Sequence, residues 1–366
     1  MLADGGPHST PFTAYGVCIC LVVLELSVGG LEVAVVNLAS TLAKRGLKVR
    51  LVVLEVNEHT LDDDIGATVE VLDLTRLSRP KRLHALRRAT RDAFVHVHFW
   101  GGHIRPLYRL TMSGRPTVVS YHNVFFRSRS KDLLDWLVQT QTNVIVSSSK
   151  FVDGYARSML GGPVSRYKVI HCPSVLAPTA DEPLPHVVGS TWELVLVARL
   201  VEQKDVFTAL EGFTVALGRG LNARLTVIGE GAQLSPLLSR TRELGISDAV
   251  RWLGEIPSKR ELGARLRQAH LKIYTSLWDS FPLVLLEAMA MGVPVVATDI
   301  PANREALGDA GVFVPVKAPV ALADRIIEVL GDPAHLLELR NAGLKRVAAL
   351  TPDRFADEHL ELYQAM

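Results

Sequence analysis

The feature that most restricts the fold is an alternation. Short, continuous apolar runs rich in β-branched residues alternate with longer amphipathic segments along almost the whole chain. The runs Val17–Leu24, Lys48–Leu54, Val69–Leu72, Val95–Phe99, Thr117–Tyr121 and Asn143–Ser147 are too short for stable helices and read as buried strands. Between the first two, the spacing of Leu31, Val35, Leu38, Ala39 and Leu42 predicts a helix over 30–44. Apolar strands separated by helices predict a parallel sheet covered on both faces.

The pattern stops at 173–191, which holds four prolines and a glycine, and then restarts. Six further strands are expected at Glu193–Val197, Arg224–Ile228, Val250–Leu253, Leu271–Thr275, Val293–Ala297 and Gly311–Val314. A chain of 366 residues is too long for one typical core and suits two. The expected organisation is a flexible tail (1–14), a Rossmann-like domain (15–172), a hinge (173–191), a second Rossmann-like domain (192–350) and a C-terminal helix (351–366). That helix could dock on either domain. Open parallel sheets bind ligands at the carboxyl ends of their strands, so a ligand is expected in a central cleft that both sheets face.

Composition narrows the partners. With 48% hydrophobic and 21% charged residues the chain is globular rather than disordered. A net charge of +2 provides no global field for nucleic acid, and none is expected as a partner. The three cysteines, Cys18, Cys20 and Cys172, suit a reducing cytosol and exclude a disulfide scaffold. The first apolar run lacks a basic leader and a cleavage site, and no stretch reaches a membrane-spanning length of about 20 residues. A cytoplasmic protein is expected, with contact on the inner face of the membrane as its one route to a lipid surface.

Four segments carry chemistry. In SLWDSFPLVLLEAMAMGVPVVAT, 276–298, Pro282 suits the first turn of a helix and Gly292 its end. The N–H groups of Leu283 and Val284 are then free to hold a phosphate oxygen. Asp279, just before that helix, and Glu287, within it, are placed to accept hydrogen bonds from sugar hydroxyls. An N-cap aspartate and a solvated glutamate would look the same. In VARLVEQKD, Arg199 and Lys204 follow the first strand of the second domain, where two cations can neutralise a diphosphate without a metal. Ordinary surface cations are the alternative. In SVGGLE, Gly29 and Gly30 allow an anion close to the backbone, or simply make a tight turn. His122 ends a strand in VVSYHN and points either to the cleft or into the core.

Taken together, GGLE, ARLVEQKD, VIGEGAQL, WLGEIP, DSFPLVLLEAMAMGVPVVATD and PANREAL resemble, in order and spacing, the retaining GT-B glycosyltransferases of family 4 (glycosyl transferases group 1). The resemblance covers nearly the whole chain. It implies an α/β protein of GT-B architecture, with two Rossmann-like domains. It assigns Arg199 and Lys204 to the donor diphosphate and Glu287, the second acid of an E-x7-E motif, to the ribose. Asp279 is the first acid, facing the sugar, and Gly30 belongs to the loop near the diphosphate. His122 lies by the transferred sugar, Gly229, Glu230 and Gly231 line the nucleotide side, and Glu255 falls near the base. Position 279 carries Asp where Glu is commoner. Pro301 and Ala302 stand where a glycine-rich turn is often seen before Asn303–Glu305.

Other clusters carry less. Asp62, Asp63 and Asp64 read as a solvated loop rather than a metal motif. His96 and His98 share one face of a strand, but with His103 they lack a fourth ligand of suitable spacing, and packing or an acceptor-side contact by His98 is expected instead. The segment 76–91 holds Arg76, Arg79, Lys81, Arg82, Arg87, Arg88 and Arg91 and no acid. It is either a solvated helix with Leu83, Leu86, Ala89 and Phe94 opposite, or a contact for anionic lipid. The expected reaction moves a sugar from a nucleotide-sugar donor, a UDP- or GDP-sugar first, to a hydroxyl of a glycan, lipid-linked or small-molecule acceptor. Configuration is retained, and no cofactor or essential metal is required. The alternatives are a GT-B epimerase and a noncatalytic nucleotide-sugar-binding protein. A Rossmann dehydrogenase ranks below these, because SVGGLEVA lacks the G-x-G-x-x-G spacing.

Overall fold

The computed structural model of the chain describes residues 17–26, 30–55, 65–99, 117–123, 142–179 and 191–366. The acidic run Asp62–Asp64, His103, Gly29, the tail and 180–190 of the expected hinge lie outside them. Two compact units are present. One is formed by the chain up to Cys172 together with Pro352–Met366, the other by Pro173–Thr351.

The first unit contains β1 (Cys18–Val23), α1 (Gly30–Lys44), β2 (Val49–Val53), β3 (Glu70–Asp73), α2 (Arg79–Ala89), β4 (Ala93–Phe99), β5 (Thr117–Tyr121), β6 (Val144–Ser147), α3 (Lys150–Leu160) and β7 (Tyr167–Val169). The strands lie in the order β3-β2-β1-β4-β5-β6-β7, and every pairing is parallel. All six residues of β1 are buried, including Cys18 and Cys20. That is why the central strands read as unbroken apolar runs. The edge strand β7 was not expected. It is three residues long and carries an exposed Lys168 at its centre, so it shows no apolar run.

In the second unit follow β8 (Trp192–Val197), α4 (Val206–Gly218), β9 (Ala223–Ile228), α5 (Leu234–Glu243), β10 (Val250–Trp252), α6 (Lys259–Leu266), β11 (Leu271–Tyr274), α7 (Leu283–Ala290), β12 (Val295–Thr298), α8 (Pro301–Leu307), β13 (Gly311–Val314), α9 (Pro319–Gly331) and α10 (Pro333–Ala348). The sheet order is β10-β9-β8-β11-β12-β13, again all parallel. One face of this sheet, through Leu194, Leu196, Leu225, Val227, Leu271 and Ile273, packs on Phe213, Leu322 and Ile326. The chain winds outward from β8 on one side and from β11 on the other. Strand order therefore reverses between these two, the place where doubly wound sheets bind ligands.

Helix α11 (Pro352–Gln364) belongs to the first unit, which settles the docking that the sequence left open. Arg45 at the end of α1 donates to Asp353 at 3.0 Å and to Asp357 at 2.5 Å. The Tyr363 ring stacks on Phe94 at 4.6 Å, which places Phe94 on β4 in the core and not on the basic helix. The Tyr363 hydroxyl lies 2.6 Å from His96 Nδ1, and His96 Nε2 lies 2.7 Å from Ser120 Oγ. His96 and His98 stack at 3.9 Å, with His359 of α11 5.3 Å from His96. Burial pushes His96 and His98 far below the usual histidine range, His359 to about 4 and His122 to about 3.

The loop after β9 depends on two glycines. Gly229 has φ +135°, and a Cβ there would sit 1.9 Å from the Ala198 carbonyl oxygen. Gly231 has φ +156°, and its Cβ would lie 2.4 Å from the Leu200 carbonyl oxygen. Only glycine allows this loop to lie against the exit of β8.

Two outcomes are expected. The histidines are buried neutral, with folded pKa below unfolded, so their contribution is complete above about pH 6.5 and lost as pH falls toward 4. The thermal midpoint should therefore drop between pH 7 and pH 5, by up to about 1.4 kcal/mol of stability per pH unit for each histidine kept neutral. An unchanged midpoint would contradict a buried neutral cluster. Separately, Gly245 has φ +70° but no atom within 4 Å of a Cβ. In chemical denaturation Gly245→Ala should cost about 1 kcal/mol for its backbone alone, and Gly229→Ala at least about twice that. Equal costs would show that the Ala198 contact relaxes freely.

Candidate active site

The loops leaving β8 and β11 are tied together across the point where strand order reverses. Lys204 Nζ donates to Asp279 Oδ2 at 2.5 Å and to the Tyr274 hydroxyl at 2.8 Å. The Tyr274 hydroxyl in turn donates to the same Asp279 oxygen. Asp279 Oδ1 accepts from the Ser280 N–H at 2.9 Å. The pair is largely removed from water, with 11% of the Lys204 and 15% of the Asp279 side chain exposed. Burial and the Asp279 charge push the Tyr274 phenol well above its ordinary range. Backbone contacts reinforce the tie. The Leu277 N–H and the Ser276 hydroxyl donate to the Gln203 carbonyl, and the Thr275 hydroxyl donates to that of Lys204. Asp205, directly after Lys204, holds the left-handed conformation at φ 44°, ψ 51° and accepts from the Thr208 hydroxyl.

Two of the sequence-derived candidates thus bind each other. Asp279 was expected to face a sugar, yet both its carboxylate oxygens are already engaged by protein donors. Arg199, two residues beyond β8, is exposed, with a guanidinium that reaches the Tyr274 environment electrostatically. Helix α7 starts at Leu283 with Pro282 at its N-cap, and no side chain caps it. Leu283 is buried and Val284 half-buried at this start. Glu287 lies one turn further on and is half-buried. Its carboxyl is raised by desolvation and drawn back by the positive charges of Lys272 and Lys259.

Lys272 was missed by the sequence reading. It is a wholly buried lysine inside β11, on the face of the strand that also carries Tyr274. The available signal was a single charge in the otherwise apolar strand LKIY. Tyr274, which anchors both Lys204 and Asp279, was also not singled out.

The glycine loop holds Gly229 and Glu230 beside Arg199. The Leu200 N–H donates to the Glu230 carbonyl at 2.7 Å, and the Gly229 N–H to that of Gly254 at 2.7 Å. Glu230 and Glu255 are exposed. In the first unit, Gly30 opens α1 and is exposed at that helix start. His122 follows β5 with its Nε2 3.2 Å from His98 Nδ1 and its Nδ1 3.9 Å from Cys172 Sγ. Both of its ring nitrogens therefore face protein groups. Burial pushes the Cys172 thiol up to about 12, so it is no thiolate nucleophile at neutral pH.

Comparison with known proteins agrees with this construction. The family described as Glycosyl transferases group 1 matches residues 186–346, and Glycosyltransferase Family 4 matches 28–174. An exopolysaccharide phosphotransferase of Streptomyces coelicolor is 38% identical over 179 residues, 47% of this chain and 18% of that protein. Glycogen synthase of Mycobacterium tuberculosis is 31% identical over 159 residues, 43% of this chain and 38% of that enzyme. The matched stretches are thus well under two thirds of either relative's length. Among solved structures, Anabaena HepE in complex with UDP and glucose superposes with a TM-score of 0.79 at 16% identity, covering 96% of this chain and 100% of its own. With one family matched on each Rossmann-like unit and this shared architecture, the chain belongs to the GT-B glycosyltransferases of family 4, the group 1 glycosyl transferases.

Proposed function

We propose that the protein transfers a sugar from a nucleoside-diphosphate sugar to an acceptor hydroxyl with retention of anomeric configuration. The observation that carries this reading is the Lys204 ammonium, fixed by Asp279 and Tyr274 beside the uncapped start of α7. A buried cation whose position is set in advance stabilises charge that develops on a leaving diphosphate without reorganising. Arg199 supplies the second, exposed cation, and the N–H groups of Leu283 and Val284 supply donors for a phosphate oxygen. Glu287 takes the ribose hydroxyls, and Asp279 acts through Lys204 as a positioning residue. HepE was solved with UDP and glucose, which supports a donor of this class.

Neither Asp279 nor Glu287 serves as a covalent nucleophile in this reading, since one is held by Lys204 and Tyr274 and the other is assigned to the ribose. The reading is therefore a front-face transfer in which the leaving phosphate helps deprotonate the acceptor. The protein's part is positioning and charge stabilisation, and no metal is required for it.

A contact with anionic lipid is a second proposal, on its own observation. Arg76, Arg79, Lys81, Arg87, Arg88 and Arg91 on and beside α2 are all exposed. Arg82 instead closes the helix start by donating to the carbonyls of Leu74, Thr75 and Leu77. Leu86 and Ala89 are buried beneath. Among the described residues no helix is long and apolar enough to cross a membrane.

Lys204→Ala and Glu287→Ala should each lower turnover at least about tenfold, or ~1.4 kcal/mol of barrier. Near-wild-type turnover in either removes its assigned role. In a thermal-shift panel of UDP, GDP, ADP and dTDP, one diphosphate should raise the midpoint, and Lys204→Ala should abolish that rise. No shift with any of the four would count against the donor site. Vesicles with increasing anionic lipid should bind the protein progressively, and Arg79→Glu with Arg87→Glu should weaken that binding by about tenfold or more. Binding indifferent to lipid charge would end the membrane proposal.

A further inference from the structure

Strand β11 carries one charge, and among the described residues the fold gives it no hydrogen bond. Lys272 is 0% exposed, and its Nζ makes no hydrogen bond among the described residues. Its neighbours in the sheet are Val195 on β8 and Val295 on β12. An apolar residue would fill this position without the penalty of burying an unpaired amine. Lys272 lies on the strand beside the reversal of strand order. It is two residues before Tyr274 and on the same face. Tyr274 in turn holds Lys204 and Asp279.

The charged and titratable groups around it come from every element of the donor half-site. The loop after β8 contributes Lys204, with Arg199 reaching Tyr274. The strand itself contributes Tyr274, and the following loop contributes Asp279. Helix α7 contributes Glu287, and α6 contributes Lys259, which acts on Glu287. The Lys204 charge already has Asp279, so among the described residues Lys272 is left with Glu287 as its counter-charge.

We propose that Lys272 is a positioning residue of the donor half-site, a buried amine that takes a proton from solvent when a nucleoside diphosphate binds and then holds Glu287 as the carboxylate that receives the ribose. This rests on the donor reading above. A diphosphate seated on Arg199 and Lys204 offsets the Lys204 charge that disfavours a second ammonium at Lys272. Ribose hydroxyls donating to Glu287 favour its ionised form, and that form favours the Lys272 cation. The amine is poised for this exchange, because burial draws it down to about 7 from the ordinary lysine range. Binding then takes up one proton, and affinity falls as pH rises above that value.

The test is calorimetric titration of the diphosphate that gives the largest thermal shift, at pH 7.5 and 8.5, in buffers of differing ionisation enthalpy. Wild type should take up a net proton and lose affinity by up to about tenfold over that pH unit. Lys272→Met should bind with no such uptake and a flat profile. This variant is expected to fold, because it removes a buried amine that makes no hydrogen bond and keeps an unbranched side chain of similar volume. Lys272→Gln serves as a second variant if it does not. Equal proton uptake and equal pH slope in wild type and variant would overturn the assignment. Failure of wild type to bind any of the four diphosphates would instead sink the donor reading itself.

Discussion

The ion pair between Lys204 and Asp279 joins the two loops from which the donor half-site is built. Those loops leave adjacent parallel strands at the point where strand order reverses, and nothing in the sheet itself forces them together. The pairing does so, reinforced by the Tyr274 hydroxyl and by hydrogen bonds from the Leu277 N–H and the Thr275 and Ser276 hydroxyls to the carbonyls of Gln203 and Lys204. Separating such a partly buried pair leaves a charge without compensation, which costs more than the pair contributes over an apolar substitute. Its value here is positional. It fixes one ammonium group and, through the short segment from Asp279 to Pro282, the start of α7.

This arrangement resolves a tension in the sequence. Arg199, Lys204, Asp279 and Glu287 were each assigned to a ligand separately, as if all four side chains pointed at the same guest. In the folded unit they divide. Arg199 stays exposed, Lys204 and Asp279 neutralise each other, and Glu287 sits half-buried in the field of a lysine that no motif named. With Lys272 also charged, its ammonium and that of a free Lys204 would repel each other in the absence of ligand. One internal ion pair together with a buried amine that can shed its proton avoids this.

The fold was largely legible because its information is periodic. Apolar strands such as Leu271–Tyr274 and Val295–Thr298 announce burial on both faces, and proline and glycine mark the ends of α7. What escaped was information held in contacts rather than in spacing. The short edge strand β7 has no apolar run, and the docking of α11 depends on Arg45 and on the rings of Phe94, His96 and Tyr363, far apart in the chain. The histidines at 96 and 98 were recognised as sharing a face. That both would be buried, with His98 against His122 and His96 between Tyr363 and Ser120, required the tertiary fold. Within the site, the glycine loop was legible as a motif. The close approach of Gly229 to Ala198 gives the physical reason for it.

The central claim is that the Lys204 knot and the start of α7 hold the diphosphate and ribose of one nucleotide. A crystal structure with the bound nucleoside diphosphate tests it most directly. The diphosphate oxygens should lie within hydrogen-bond distance of Lys204 Nζ, the Arg199 guanidinium and the Leu283 or Val284 N–H, with the ribose hydroxyls on Glu287. A nucleotide seated elsewhere on the chain, with Lys204 still bound only to Asp279 and Tyr274, would contradict it.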